Sequence, residues 1–296
     1  MRYATFEQDG RVSWGAVQVA GVLDLPAAAA AAGLGGWPET LLAFVQAGPV
    51  WWERARQLTA EAGNTSLVPL SGVRIRAPVP QPVRNVFALG LNYAEHAAEG
   101  GADVPDAPIY FTKATTAVIG PDEPIIADPS VSEKLDWEVE LGVIIGLGGR
   151  RIPESEALQH IFGYTVIHDV SARDLQFARS GQWFLGKSFD TGCPMGPWIV
   201  SADEIGDPQD LDLRLCVNGV EKQSSNTRHM IFPVAKILAD LSSVLTLQAG
   251  DIISTGTPSG IGGQREPPEY LQPGDVAEAE VAGIGLLRNP VVAPSP

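Results

Sequence analysis

Basic residues are scarce in this chain of 296 residues. Twenty lysines and arginines stand against 35 aspartates and glutamates, which gives a formal net charge of −15 at pH 7. Nucleic-acid phosphates and anionic membrane surfaces attract basic faces, so this excess of acid argues against both as partners. If the substrate is itself an anion, the site must supply local cations. Any lysine or arginine near an acidic cluster is then a candidate for binding that substrate.

The sequence also has few cysteines and lacks long apolar runs. The two cysteines, Cys193 and Cys216, lack the spacing of a metal site, which favours reduced thiols. The N-terminus shows no signal-peptide pattern, and no apolar run approaches the roughly 18–20 residues that span a bilayer. We therefore expect a cytoplasmic protein without a membrane partner.

Several common catalytic signatures are absent. The glycine-rich segment 146–149 leads to Pro153 and not straight into a helix, so it is not a dinucleotide-binding fingerprint. The loop 256–260 lacks the Gly-Lys-Ser/Thr ending of a phosphate-binding loop, and the sequence has no Gly-x-Ser-x-Gly nucleophile motif. The four histidines show no His-x-His or facial-triad spacing, which argues against a cupin-like or dioxygenase metal centre.

The organisation of the chain changes near residue 75, inside a proline-rich stretch. Residues 1–75 combine short apolar strands with two helical patterns and predict a small α+β domain. Residues 76–296 contain several apolar strands with few helices between them, the most regular helix being 232–244. This second pattern predicts an α+β catalytic domain built on a closed or rolled mixed sheet.

Two carboxylates share one face of a predicted strand. In the segment 136–141, alternate side chains point the same way, so Glu138 and Glu140 lie side by side. Adjacent carboxylates repel each other unless a cation lies between them. Taken alone, the segment fits either a metal site or the solvated acidic face of an edge strand.

A third carboxylate follows another apolar strand, which ends in His168 and Asp169. Asp169 would complete an all-oxygen ligand set, which suits hard divalent ions and leaves room for water and substrate oxygens. The neighbouring His168 should face the opposite way, and we interpret it as a core or supporting residue. The polar segment that follows includes Arg173 and Gln176.

Three further segments could complete a site for an anionic substrate. Lys187 is either a solvated loop residue or a cation that neutralises the substrate. His96 and Glu99 are three residues apart on a helix face, where they form either a surface pair or an imidazole–carboxylate pair that activates water. The loop after the strand 251–255 could offer backbone N–H groups and the Thr257 hydroxyl to a carboxylate.

In their order along the chain, these motifs resemble the fumarylacetoacetate hydrolase family. The resemblance covers roughly residue 83 to the end. Its five segments are Gly-Leu-Asn-Tyr-x-x-His-x-x-Glu at 90–99, Leu-Asp-Trp-Glu-Val-Glu-Leu at 135–141, Gly-Tyr-Thr-Val-x-x-Asp-Val-Ser-Ala-Arg-Asp-Leu-Gln at 163–176, Gly-Lys-Ser-Phe-Asp at 186–190 and Ser-Thr-Gly-Thr-Pro-Ser-Gly-Ile-Gly at 254–262. The small N-terminal unit is similar to that of the shorter bacterial-type members.

The resemblance implies a role for each candidate residue. Metal ligands would be Glu138, Glu140 and Asp169, and the metal would be Mg²⁺ or Mn²⁺. The catalytic group would comprise His96 and Glu99 on a mobile lid together with Lys187, whereas Arg173, Gln176 and Thr257 would contact the substrate. The implied fold is a mixed β-roll, similar to a β-sandwich, with flanking helices, usually in a homodimer.

Two departures from the family pattern bear on substrate choice. Lys113 is followed by Ala114 where the family usually has proline, and His168 stands where asparagine is common. Neither change removes a predicted ligand, but each could alter the shape of a loop at the site.

The implied activity is metal-dependent cleavage of a carbon–carbon bond in an acylpyruvate-like or other 2,4-diketo acid, through a stabilised pyruvate enolate. The same site could instead decarboxylate oxaloacetate, or isomerise or hydrate a dienoate. A catalytically silent member that only binds metal is a further alternative. The expected partner is therefore a small dicarbonyl acid.

Overall fold

The computed structural model describes residues 1–62, 67–99, 101, 103–178 and 181–295. Strands account for most of the regular structure in these residues. The first ten are β1 (Arg2–Gln8), β2 (Arg11–Gln18), β3 (Gly21–Asp24), β4 (Leu67–Val68), β5 (Arg74–Ile75), β6 (Val86–Gly90), β7 (Ile109–Lys113), β8 (Val118–Ile119), β9 (Ile125–Ile126) and β10 (Leu135–Asp136). The others are β11 (Val139–Ile145), β12 (Ile161–His168), β13 (Ser171–Ala172), β14 (Cys193–Ser201), β15 (Asp212–Val217), β16 (Val220–Asn226), β17 (Ile252–Ser254), β18 (Val276–Val281) and β19 (Gly285–Val292).

The α-helices of the described residues are short. They are α1 (Leu25–Ala31), α2 (Leu41–Ala47), α3 (Pro49–Ala62), α4 (Ala94–Glu99), α5 (Arg173–Ala178), α6 (Phe184–Lys187) and α7 (Val234–Val244). Helix α1 begins where the Asp24 carboxylate accepts a hydrogen bond from the Ala27 N–H at 2.9 Å, with Pro26 in the first turn. The longest helix, α3, has 14 residues, and no helix in the described ranges is long and apolar enough to cross a membrane.

A large mixed sheet runs through both parts of the chain. Its strands follow the order β4-β3-β2-β1-β14-β12-β11-β17-β6-β7, with β5 and β8 paired at its sides. All neighbours in this order are antiparallel except β17 and β6, which run parallel. The central strands β11 and β12 are buried along their whole length, which explains why their apolar runs are nearly continuous.

A second sheet, with the order β16-β15-β18-β19-β9, packs against the first. The main apolar core lies around this contact and includes the buried face of α7. A second core joins the N-terminal helices to β12 and β14 through Tyr3, Trp14, Phe44 and Phe162. The two sheets thus support β11 and β12 from several sides and hold their ends in fixed positions.

The predicted α+β class with mixed sheets is confirmed. The strand 139–145 and the helices 94–99 and 234–244 lie where the sequence predicts them, give or take two residues. Strand β1 escapes the sequence analysis because its side chains are mixed and its partners, β2 and β14, are distant in the chain. Since β1 joins the N-terminal strands to β14, the sheet is continuous across residue 75, and a domain boundary there stays a prediction.

Candidate metal-dependent active site

Three buried carboxylates meet at one end of β11 and β12. Antiparallel pairing places Glu140 opposite Ile167, and the Asp169 N–H donates to the Glu138 carbonyl oxygen at 2.9 Å. Glu138, Glu140 and Asp169 are at most 4% exposed. One oxygen from each lies within 4.8 Å of the others. The structure therefore brings together the three ligands that the sequence predicts.

The donor set fits a divalent cation. One oxygen of Glu140 accepts hydrogen bonds from the Ser254 hydroxyl at 2.5 Å and the Gly256 N–H at 2.8 Å. Its other oxygen, Oε1, is buried and has no hydrogen-bond partner in the described part of the chain. Burial, together with the negative charges of Asp169 and Glu138, raises the pKa of Glu140 to about 8. A cation bound by the free oxygen would relieve both the repulsion and the missing contact.

Two lysines share the same carboxylates. The Lys187 ammonium donates to Glu138 at 2.8 Å and to Asp169 at 2.9 Å, and the Lys113 ammonium donates to Asp169 at 2.5 Å. Burial alone would lower the pKa of Lys187, but the adjacent Asp169 and Glu138 carboxylates outweigh it and raise that pKa above its usual value. These two ion pairs therefore favour the charged form of Lys187.

Arg173 links the carboxylates to the substrate side of the site. Its guanidinium lies 2.8 Å from Asp136 and 2.7 Å from Glu138, and it donates to the Gln176 amide oxygen at 2.9 Å. Burial alone would raise the pKa of Glu138, but Lys187 and Arg173 reverse the effect and hold it well below its usual range. Glu138 is thus ionised at all working pH values.

Asp136 is a positioning residue that the sequence analysis did not single out. Besides Arg173, its carboxylate accepts hydrogen bonds from the N–H groups of Gly262 at 2.6 Å and Gly263 at 2.9 Å. These contacts tie the segment after β17 to the strand that carries Glu138. The alternation of residues 136, 138 and 140 is the only sequence signal that could have suggested it.

A cavity of about 450 Å³ opens onto these groups. Its polar lining includes five predicted site residues: His96, Arg173, Gln176, Lys187 and Thr257. Glu138 also faces it, and Leu89, Phe111, Trp183 and Ile261 supply apolar walls. The volume suits a small organic acid, with charged groups gathered at the buried end.

His96 and Glu99 lie together on α4, as their spacing predicts. The His96 Nδ1 atom is 3.5 Å from a Glu99 oxygen, which is an ion-pair distance but too long for a hydrogen bond. Both Glu99 oxygens accept from the Gly260 N–H at 3.1 Å, so the end of α4 is attached to the loop after β17. The lid motion implied by the family resemblance stays a prediction, and Gly100 and Ala102 at its edge lie outside the described residues.

The Thr257 hydroxyl is already engaged by the protein. It donates to the Val139 carbonyl oxygen and accepts from the Gln223 amide, each at 2.9 Å. Its hydrogen is therefore not free for a substrate in this structure, and the predicted contact of Thr257 with substrate stays a prediction. Gln223, which also accepts from the Val139 N–H at 2.9 Å, is a second positioning residue that sequence spacing could not reveal.

His168 supports the site from behind. Its backbone pairs with Val139, so its ring lies on the face opposite Glu140, as predicted. Burial and the nearby Lys113 lower the pKa of His168 to about 3, so the ring is neutral. Both cysteines are free, Cys193 buried and Cys216 half-buried.

Comparisons with known proteins agree with this geometry. The family model described as "Fumarylacetoacetate (FAA) hydrolase C-terminal" matches residues 85–292. A Bos taurus protein, "Oxaloacetate tautomerase FAHD2A, mitochondrial", is 43% identical over 256 residues, covering 86% of this chain and 80% of the relative.

Two solved structures extend the likeness to the whole fold. The fumarylacetoacetate hydrolase of Exiguobacterium antarcticum is 38% identical, with a TM-score of 0.83 over 99% of this chain and 100% of that one. The maleylpyruvate hydrolase of Sphingobium sp. SYK-6, solved with manganese(II) and pyruvate, is 30% identical, with a TM-score of 0.78 over 100% of both chains. This manganese complex and the three carboxylates together support a divalent metal at the site.

Proposed function

Because the chain belongs to the fumarylacetoacetate hydrolase family, we propose that it forms and reprotonates the enolate of a 2-oxo acid, with tautomerisation of oxaloacetate as its reaction. The observation that carries the proposal is the set of three buried carboxylates beside a charged lysine, at the floor of an open cavity. The bovine relative, an oxaloacetate tautomerase, points to the substrate. Either Mg²⁺ or Mn²⁺ suits the all-oxygen ligand set.

The charges of the site residues indicate which role each would have in the reaction. Glu138, Glu140 and Asp169 would hold the metal, which when bound polarises the substrate oxygens as a Lewis acid. The Lys187 ammonium, which lies beside the same carboxylates, would stabilise the negative charge that develops on the 2-oxo oxygen. His96 lines the cavity and can take a proton from C3 and return it to the oxygen. Tautomerisation moves that one proton and consumes no water.

Hydrolysis of a carbon–carbon bond in an acylpyruvate is the second candidate. It is favoured by the His96–Glu99 pair, since a carboxylate beside an imidazole can support activation of water. The likeness to a maleylpyruvate hydrolase favours it as well. We place it second because the relative that is 43% identical is a tautomerase, whereas the two hydrolases are 38% and 30% identical. Decarboxylation, dienoate isomerisation and a silent metal-binding role are the other possible outcomes.

A panel of substrates distinguishes these reactions. The purified protein, loaded with Mg²⁺ or Mn²⁺, is mixed with enol oxaloacetate, and loss of enol absorbance is recorded beside pyruvate release. Acetylpyruvate and fumarylpyruvate are assayed in parallel, and the same metal without protein gives the blank. We expect rapid loss of the enol without pyruvate. A higher kcat/KM for cleavage of an acylpyruvate would make the enzyme a hydrolase, and no turnover of any compound would leave a binding protein.

Lys187→Met tests the role of the buried cation. Because the ammonium is placed to stabilise charge that develops during reaction, we expect kcat/KM to fall by about 10²–10³-fold, the usual effect of losing one such donor. Lys236→Met removes the same charge from an exposed position on α7 and should leave kcat/KM unchanged. Equal losses in the two variants would exclude a specific role for Lys187.

A control at Lys222 would be less informative. This residue follows the Asn218–Gly219 turn, but its ammonium pairs with Glu269 at 2.5 Å and lies 5.6 Å from the centre of the Trp137 ring. Removing it would disturb packing next to the metal-binding strand. Lys236 has no ion pair within the described residues and avoids this ambiguity.

A further inference from the structure

One cation that lines the cavity has no partner. Lys134 is exposed, and in the described ranges its ammonium makes neither an ion pair nor a hydrogen bond. The other lysine and arginine of the lining, Lys187 and Arg173, are both paired with buried carboxylates. The chain has a net charge of −15, so a lysine that faces a cavity without an acidic partner is unusual in it.

The position of Lys134 relative to the metal ligands is fixed by the backbone. Lys134 comes directly before β10 (Leu135–Asp136), Glu138 follows that strand by two residues, and both Lys134 and Glu138 line the cavity. The Lys134 carbonyl oxygen accepts from the Arg173 N–H at 3.0 Å, and its own N–H donates to the Ser132 hydroxyl at 3.0 Å. Lys134 therefore lies on the exposed side of the cavity, whose buried side holds Glu138 and Lys187.

Its neighbours in the cavity can assist in binding an anion. The Tyr270 hydroxyl and the Gln264 amide line the same cavity, and neither side chain has a hydrogen-bond partner in the described part of the chain. Of the two acids in the cavity lining, Glu138 is paired with Lys187 and Arg173, and the Asp174 carboxylate accepts from the Ser132 hydroxyl at 2.5 Å, the Leu175 N–H at 2.9 Å and the Glu133 N–H at 3.2 Å. A negative group near Lys134 would thus meet donors and a free positive charge.

We propose that Lys134 binds the distal carboxylate of a dicarboxylic 2-oxo acid whose 2-oxo end lies at the metal site. The proposal deepens the proposed function and rests on it. The two charged ends of the substrate are recognised at the two ends of the cavity, by the metal centre inside and by Lys134 at the mouth. Lys134 does not touch the reacting atoms, so it determines substrate choice through binding and leaves the chemical step to the inner residues.

A matched pair of ligands distinguishes recognition of the 2-oxo end from recognition of the distal carboxylate. We would measure the affinity of Mn²⁺-loaded protein by calorimetry for 2-oxoglutarate and 2-oxopentanoate, which have equal chain length and differ in the distal carboxylate. The kinetic counterpart is the KM for oxaloacetate. The variants are Lys134→Met, Lys134→Arg and, as a control for removal of an exposed charge, Lys236→Met.

The expected result is a selective loss. Wild type should bind the dicarboxylate about tenfold more tightly than its neutral-tailed partner, the usual size of a hydrogen bond to a charged group. Lys134→Met should remove that preference without weakening 2-oxopentanoate, and it should raise the KM for oxaloacetate at nearly constant kcat. Lys134→Arg should retain most of the preference, and Lys236→Met all of it. Added salt should reduce the preference in wild type, Lys134→Arg and Lys236→Met, and should have no effect on the relative affinities in Lys134→Met.

Two outcomes would overturn the proposal, and they differ from failure of the proposed function. Equal weakening of both acids in Lys134→Met would place Lys134 at the shared 2-oxo end, and an unchanged preference would remove it from recognition. If metal-loaded wild type bound neither acid, the proposed function itself would fail, and the inference with it.

Discussion

Glu138→Ala and Asp169→Ala should each reduce turnover by about 10³-fold or more, to the background of the metal-free protein. A Lewis acid contributes several kcal/mol to stabilising charge in a transition state, and each 1.36 kcal/mol corresponds to a factor of ten in rate. Chelator-treated wild type should lose activity to the same extent and recover when Mg²⁺ or Mn²⁺ is added. Full turnover of wild type after removal of metal would contradict the assignment.

Replacing either Glu138 or Asp169 with alanine also changes the balance of buried charges. Glu138 balances Lys187 and Arg173, and Asp169 balances Lys113 and Lys187, so an alanine leaves buried cations with one partner fewer. Breaking a buried pair costs about 3–5 kcal/mol, and loss of activity could then reflect unfolding. A third variant is needed that removes a ligand without removing a counter-charge.

Glu140→Gln is that variant. The Glu140 carboxylate has no cationic partner within hydrogen-bond reach among the described residues, its Oε1 atom is buried without a donor, and one of its oxygens lies within 4.8 Å of oxygens of Glu138 and Asp169. A glutamine can keep the contacts with Ser254 and Gly256 and direct its amide nitrogen to the two carboxylates. The pKa of Glu140 is raised to about 8, so its carboxylate is ionised and repelled by its neighbours only above that pH. Above pH 8 we therefore expect the metal-free variant to melt at a higher temperature than metal-free wild type, while activity is lost.

Metal titration followed by thermal unfolding completes the test. In wild type, metal at 100 times its Kd should add about 2.7 kcal/mol to the free energy of unfolding. In Glu140→Gln the same concentration should add much less, because one of three ligands is neutral. An equal rise of Tm in both proteins would mean that Glu140 does not bind the metal. A lower Tm of the metal-free variant would mean that the carboxylates do not repel each other as described.

The clustering of the three predicted metal ligands was predictable because it follows largely from the period of a strand. Two residues on one strand share a face if they are two positions apart, and this places Glu138 and Glu140 together whatever the rest of the fold does. Asp169 required one further step, the pairing of two apolar strands, β11 and β12. The pair His96 and Glu99 follows from the period of a helix in the same way. Local periodicity thus predicted most of the side chains that the structure brings together at the site.

The groups that the sequence analysis missed are those whose role depends on distant parts of the chain. Lys113 lies 56 residues from Asp169 in sequence, and Asp136 lies more than 120 residues from the glycine N–H groups at its carboxylate. Gln223 reaches Val139 across 84 residues. A lysine, an aspartate and a glutamine in such segments are indistinguishable from surface residues until the sheets are assembled. These residues contact the site because they are buried beside it, and no pattern in a single sequence reveals that burial.

The balance of charge explains why so many of these residues are needed together. Four buried carboxylates, at positions 136, 138, 140 and 169, face three cations: the buried lysines at 113 and 187 and the half-buried arginine at 173. When Glu140 is ionised, as it would be with a metal bound, the excess is one negative charge. A divalent cation reverses the sign of the site, and a substrate anion then restores neutrality. A site with this balance attracts the metal first and the organic acid second.

His96→Ala is expected to have the second large effect. If His96 moves the proton, kcat should fall by about 10²–10⁴-fold, the usual contribution of general acid–base catalysis. Metal affinity should change little, because the three carboxylates are untouched and His96 is not among them. Loss of rate with retention of metal-induced stabilisation is therefore the signature that separates His96 from the ligands.

Glu99→Gln should be milder than His96→Ala. In this structure Glu99 does not hydrogen-bond to His96, and its oxygens accept from the Gly260 N–H, so its effect on the imidazole is electrostatic or arises when the lid moves. If Glu99 acts only through His96, the double variant should lose less than the sum of the single losses, expressed as free energies. Additive losses would instead show that Glu99 acts through the loop that it anchors.

The comparison of reactions decides what His96 does. Hydrolysis needs an activated water and tautomerisation needs a proton carrier, so both should fail in His96→Ala. Decarboxylation of a bound 3-carboxylate needs neither to break its bond, and it should partly survive. The measurement is the rate of each reaction in His96→Ala and wild type at saturating metal and substrate. Equal rates of tautomerisation would remove His96 from the mechanism and leave the metal and Lys187 to account for catalysis, with solvent water as the proton carrier.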